Sequence, residues 1–126
     1  MTKAAALHKF FSGFGLTAYQ EYSVPEDATF PYLTYSVTTN SFGGGDTALT
    51  ASLWYRASSW TAINAKTEEI SAAIGYGGVV IDCSGGKIWI KRGQPFATSM
   101  RDETDETDDL IRRKLINITA EYLTKN

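Results

Sequence analysis

The spacing of apolar residues changes midway through residues 47–75, TALTASLWYRASSWTAINAKTEEISAAIG, and the change predicts a strand running into a helix. Up to Arg56 the period is two: Ala51, Leu53 and Tyr55 fall on one face, and Thr50, Ser52, Trp54 and Arg56 on the other. From Trp60 the period lengthens. Trp60, Ile63, Thr67, Ile70, Ala73 and Ile74 sit at helical spacing, while Asn64, Lys66, Glu68, Glu69 and Ser71 take the remaining positions. Ser58 or Ser59 is placed to cap this helix, and Gly75 to close it. Residues 2–14 predict another helix, because Leu7, Phe10, Phe11 and Phe14 form one aromatic stripe, with Gly13 and Gly15 as stops.

The other elements predicted are strands. Residues 16–22 suit a short strand, and residues 24–29, with Pro25, Glu26 and Asp27, a turn. Pro31 marks the start of the next strand, residues 32–39, in which Leu33, Tyr35 and Val37 share a face. This strand is expected to pair with residues 49–56 through the loop 40–46, NSFGGGD, as a long β-hairpin whose glycine-rich tip is mobile in the isolated protein. A second hairpin is expected from residues 79–83 and 87–92, and a loop over 94–109. Residues 110–123, LIRRKLINITAEYL, fit either a helix or a strand. Residues 116–119, mostly β formers, favour the strand, long enough for one end to project toward a neighbour. The expected fold is therefore α/β, of the α+β kind, in a single domain. Its sheet is mixed and mainly antiparallel, of four to five strands, with a long β-hairpin and two helices packed on it.

Composition narrows the function. A chain of 126 residues buries a core without disulfides or metal, and the single cysteine, Cys83, cannot form an internal bridge. Cys83 follows the apolar run 79–81 and reads as a small core residue or a strand-end thiol, which suits a reducing compartment. The net charge of −2 leaves no basic stripe for duplex DNA. No apolar run approaches the ~20 residues that span a bilayer, and no signal peptide is visible, so synthesis in a cytoplasm is expected.

Candidate chemistry is sparse. His8 is the sole histidine; it lies off the aromatic face and is expected to be solvated. Nothing in the sequence brings it to Cys83, and no cysteine and histidine cluster has zinc spacing. Gly43–Gly45 are followed by Asp46 rather than a lysine, which disfavours phosphate. Asp102, Glu103, Asp105, Glu106, Asp108 and Asp109 offer oxygen ligands, but their spacing lacks the central glycine and distal glutamate of a calcium loop. A solvated loop, a surface that repels a polyanion and a cation site are the readings open for this run. Arg112, Arg113 and Lys114 follow it directly, and such blocks of opposite sign suit pairing between subunits. The expectation is a chain without catalytic residues, cofactor or metal.

Three stretches carry a resemblance. Phe30-Pro31-Tyr32-Leu33-Thr34-Tyr35, then Ala51-Ser52-Leu53-Trp54-Tyr55-Arg56 leading into the helix 60–74, and finally Arg112-Arg113 through Ile116-Asn117-Ile118-Thr119-Ala120-Glu121-Tyr122 resemble the tail-terminator or tail-completion proteins of long-tailed bacteriophages, also labelled minor capsid or head–tail joining proteins. The resemblance implies a structural virion protein with helices against a mixed sheet. It would form a six-fold ring at the head-proximal end of the tail, stop tail-tube polymerisation and join the tail to the head connector. The implied partners are copies of itself, the tail tube protein and the connector or stopper protein, with DNA passing through unbound and no membrane. Another head–tail connector, a stopper or adaptor, is the alternative. In such a ring Phe42, Gly43, Gly44, Gly45 and Asp46, with Arg112, Arg113 and Lys114, are the interface candidates, and the long C-terminal segment a further donor. The acidic run from Asp102 to Asp109 would face the lumen or ring face.

Overall fold

The computed structural model describes residues 1–100 and 108–126. The first helix, α1 (Lys3–Phe11), opens where the Thr2 hydroxyl accepts the Ala5 amide at 3.1 Å, and runs into a 3-10 turn, Ser12–Phe14. Then follow β1 (Thr17–Gln20), β2 (Tyr32–Tyr35), β3 (Asp46–Arg56), α2 (Thr61–Ile74), β4 (Val79–Cys83), β5 (Gly86–Met100) and β6 (Ile111–Thr124). The architecture is α+β, as the hydrophobic pattern implies. The strands form one six-stranded sheet in the order β1-β2-β3-β6-β5-β4, rather than the four or five strands expected. Only the β1 and β2 pair is parallel.

Both helices contribute to a single core. Leu7, Phe11 and Phe14 from the first helical segment and Ile63, Ile70 and Ile74 from α2 meet Leu33, Leu49, Leu53, Ile88, Ile90, Ile116, Ile118 and Tyr122 from the strands. Each such aliphatic side chain contributes about 1.5–3 kcal/mol through its burial. α1 touches both β1 and β4, which are the two edges of the sheet, so the sheet curls around that helix. The expected apolar stripes therefore hold. The α2 cap differs: the Thr61 amide reaches the Ser59 hydroxyl only at 3.4 Å, while Gly75, at φ 74°, closes the far end as expected.

β3 begins at Asp46 rather than residue 49, because its first residues pair with β6 from Asp46↔Glu121, and the strands depart from expectation in three further places, each with a local cause. β2 stops at Tyr35 instead of running to residue 39: the Ser36 amide still donates to the Thr50 carbonyl at 2.9 Å, but the Ser36 hydroxyl takes the Thr50 amide at 2.9 Å in place of a backbone carbonyl and donates to the Thr50 carbonyl at 3.1 Å. The Tyr122 hydroxyl then donates to the Thr38 carbonyl at 2.6 Å and ties the segment to β6. β5 continues to Met100, where a loop from residue 94 was expected. A register shift between Arg92 and Ala97 absorbs the extra residues, and Gly93 lies so close to β6 that a Cβ there would sit 2.8 Å from the Asn117 carbonyl oxygen. Residues 110–123 resolve as strand β6, yet this strand does not project: it is central, paired with β3 from Asp46↔Glu121 to Arg56↔Ile111 and with β5 from Gly86↔Thr124 to Met100↔Arg113.

The face of β3 expected to meet solvent is also partly covered. Trp54 stacks on Tyr32 with ring centroids 6.2 Å apart, and Tyr32 meets Tyr19 edge-on at 5.8 Å. The Trp54 indole donates to the Thr34 hydroxyl at 3.0 Å, and Ser52 is 1% exposed beneath Arg113. An aromatic and hydroxyl layer thus lines the sheet opposite the helices.

Candidate interaction site

The β3 and β6 ladder sets the positions of the interface candidates. Its eleven residue pairs separate its two ends by roughly 33 Å at ~3.3 Å per residue. At one end stands the loop with Phe42, Gly43, Gly44 and Gly45, followed by Asp46 at the first position of β3. The Phe42 ring is 76% exposed, while its amide donates to the Thr124 carbonyl at 3.0 Å, so backbone pairing holds an aromatic side chain out in solvent. Asp46 accepts from Lys91 at 2.8 Å, and Lys91 also reaches Glu121 at 3.6 Å and lies 4.2 Å from the centre of the Trp89 ring. The Asp46 hydrogen bond holds the Lys91 ammonium above its ordinary value.

The opposite end carries Arg112, Arg113 and Lys114, and strand alternation divides them between the two faces. Arg113 donates through Nε to Ser52 at 3.2 Å and lies 4.9 Å over Trp54. Lys114 points to the helical side, donating to Asn64 at 2.7 Å and to Ser99 at 3.1 Å. Arg112 lies 5.5 Å from the Trp60 ring and donates to the Asp109 carbonyl, leaving its own Nε buried without a hydrogen-bond partner among the described residues. All three are half-buried and engaged within the chain. Trp54, Trp60 and Trp89 are half-buried as well; Trp54 and Trp60 serve as platforms for these three cations, and Trp89 for Lys91.

Of the acidic run, Asp102, Glu103, Asp105 and Glu106 lie outside the described residues. Asp108 is not a purely solvated charge: it accepts from Arg56 at 2.9 Å and from the Leu110 amide at 3.1 Å, and the Arg56 contact holds its carboxyl below the usual range. Asp109 is exposed and offers its carbonyl to Arg112.

His8 is exposed, yet its ring has partners: Nδ1 lies 2.8 Å from the Tyr35 hydroxyl and Nε2 3.4 Å from the Ser12 hydroxyl. Cys83 instead lines a groove of about 590 Å³ between α1 and β4 with Met1, Ala6, Lys9, Phe10 and Val80. Sequence reasoning passed over this groove. Its one sequence-level signal is Val80, an apolar residue on the polar side of the β4 alternation, which stands 51% exposed. Among the described residues no cluster of three or more metal-ligating side chains occurs, and no helix is long and apolar enough to cross a membrane. Comparison with family models, curated proteins and solved structures finds no match to this chain.

Proposed function

We propose that the chain is a structural ring subunit of the tail-terminator kind, which closes the head-proximal end of a phage tail, stops tube growth and joins it to the head connector. The observation that carries this reading is the separation of the two interface candidates. The exposed Phe42 and its glycines stand at one end of the β3 and β6 ladder, and the basic segment from Arg112 to Lys114, half-buried and bonded within the chain, at the other. A ring needs two different surfaces on each subunit, one that gives and one that receives, and a stiff ladder with unlike ends supplies that polarity. The net charge of −2 agrees with a ring through which DNA passes without being held. The sequence resemblance supplies the six-fold symmetry, the tail tube and connector as partners, and the virion as location.

The test is electron microscopy with mass measurement on the purified protein, alone and with tail tubes added. Rings or capped tube ends are expected. Retention on DNA-filled heads with no binding to tubes would assign the protein to a stopper or adaptor, and a monomer indifferent to both would overturn the reading.

A further inference from the structure

The groove between α1 and β4 has the attributes of a strand-binding slot. β4 ends the sheet, so alternate residues turn their amide and carbonyl groups away from β5. Among the described residues no hydrogen bond reaches that outer edge between Val79 and Cys83. One end is already occupied by extended backbone. The Ser84 amide donates to the Met1 carbonyl at 2.6 Å, and the Met1 amino group donates to the Ser84 hydroxyl at 3.0 Å. The remaining length, facing Ala6, Lys9 and Phe10 of α1, is open and about 590 Å³ in volume.

Charge selects what enters. Two charged side chains line the slot, Lys9 and Asp82. Asp82 is engaged by Lys87, whose hydrogen bond holds its carboxyl below the usual range. Lys9 makes no hydrogen bond or ion pair among the described residues; its charge also acts on Asp82, but that one carboxylate faces two lysines, Lys87 and Lys9, so the excess charge in the slot is positive. Phe10, Ile81 and Val80 supply the apolar part of the lining, and Val80 and Ile81, on opposite faces of β4, flank the open edge from either side.

We infer that β4 accepts an extended, acidic segment of a partner protein as a seventh strand, its backbone paired to the outer edge of Val79–Cys83, its apolar side chains between β4 and α1, and a carboxylate on Lys9. The slot requires nothing of the ring proposed above, and a partner segment here is compatible with either kind of assembly.

The probe is a short synthetic peptide alternating valine with threonine around a central glutamate, titrated into the full chain and followed by amide NMR and hydrogen exchange. A lysine-for-glutamate version and a backbone N-methylated version are run in parallel. The expected result is shifted resonances for Val79–Cys83 and for Ala6 to Phe10, with slowed exchange of the outward β4 amides. The lysine peptide binds roughly two- to fivefold more weakly, the scale of a half-exposed ion pair, and the N-methylated peptide does not bind. Lys9→Glu, an exposed change on a helix surface, reverses the preference between the charged peptides. Absence of shifts at β4, shifts centred elsewhere, or equal affinity of all three peptides would overturn the inference. Concentration-dependent protection of β4 without peptide would overturn the partner assignment in favour of a second copy.

Discussion

Replacing Tyr122 by phenylalanine isolates one hydrogen bond that positions the Phe42 loop. Tyr122 is 1% exposed in the core, and its hydroxyl donates to the Thr38 carbonyl at 2.6 Å. Phenylalanine keeps the ring and its packing, so what is lost is the net value of that bond, about 0.5–1.5 kcal/mol. Thr38 is exposed, so water takes up the freed carbonyl and the cost falls in the lower half of that range. In urea the midpoint should therefore drop with an unchanged slope, and the Phe42 amide, bonded to the neighbouring Thr124, should exchange faster. The same variant has a signature in alkali. Burial holds the Tyr122 hydroxyl above the ordinary value of 10.0, and burial does the same for Tyr35 and Tyr55. A group whose folded-state pKa is raised contributes stability that is complete below the unfolded value and is lost as pH rises through the folded one. Stability of the parent should thus decline above pH ~10, and Tyr122→Phe, lacking one of the three groups, should decline less steeply. A loss above ~3 kcal/mol, or unaltered loop exchange together with an unaltered alkaline limb, would refute the assignment.

Ile118→Ala, at a 1% exposed position on the central strand, should cost about 2–5 kcal/mol by thermal or urea unfolding, whereas Val80→Ala on the open edge should stay within ~0.5 kcal/mol. Gly93→Ala places a Cβ 2.8 Å from the Asn117 carbonyl oxygen and should destabilise by about 1–3 kcal/mol, with amide shifts spreading to both strands of the bulge. Carboxyl NMR should find Asp108 titrating below 3.8, and Arg56→Gln should move that titration upward. Because the folded value is depressed, the contribution of this pair is present at neutral pH and disappears as pH falls through it. An Asp108 titration that is insensitive to Arg56 would refute the contact.

How much of this was legible beforehand depends on the range of the interaction. Helical stripes such as Leu7, Phe11 and Phe14, or Ile63, Ile70 and Ile74, are written in local spacing, and both helices form where that spacing places them. In residues 110–123 the β-forming Ile116, Ile118 and Thr119 favour a strand, and the segment is strand β6. Its place did not follow: a strand expected to reach outward became the centre of the sheet, because β3 and β5 each present a complementary edge that only the folded chain brings to it.

The candidate site divides in the same way. The exposure of Phe42 beside three glycines was readable, since nothing nearby in sequence offered it a core. The engagements of Arg112, Arg113 and Lys114 were not, because their partners Trp60, Ser52, Trp54, Asn64 and Ser99 lie far away along the chain. The sequence by itself determined the two helices and the cores of the strands, though not the strand at residues 94–100 or the end of β2, because periodicity and propensity act over a few residues. Tertiary structure alone decided the strand order, the length of β5 through its bulge, the open edge of β4 and the partners of each charge, because these depend on which distant backbones come within hydrogen-bonding reach.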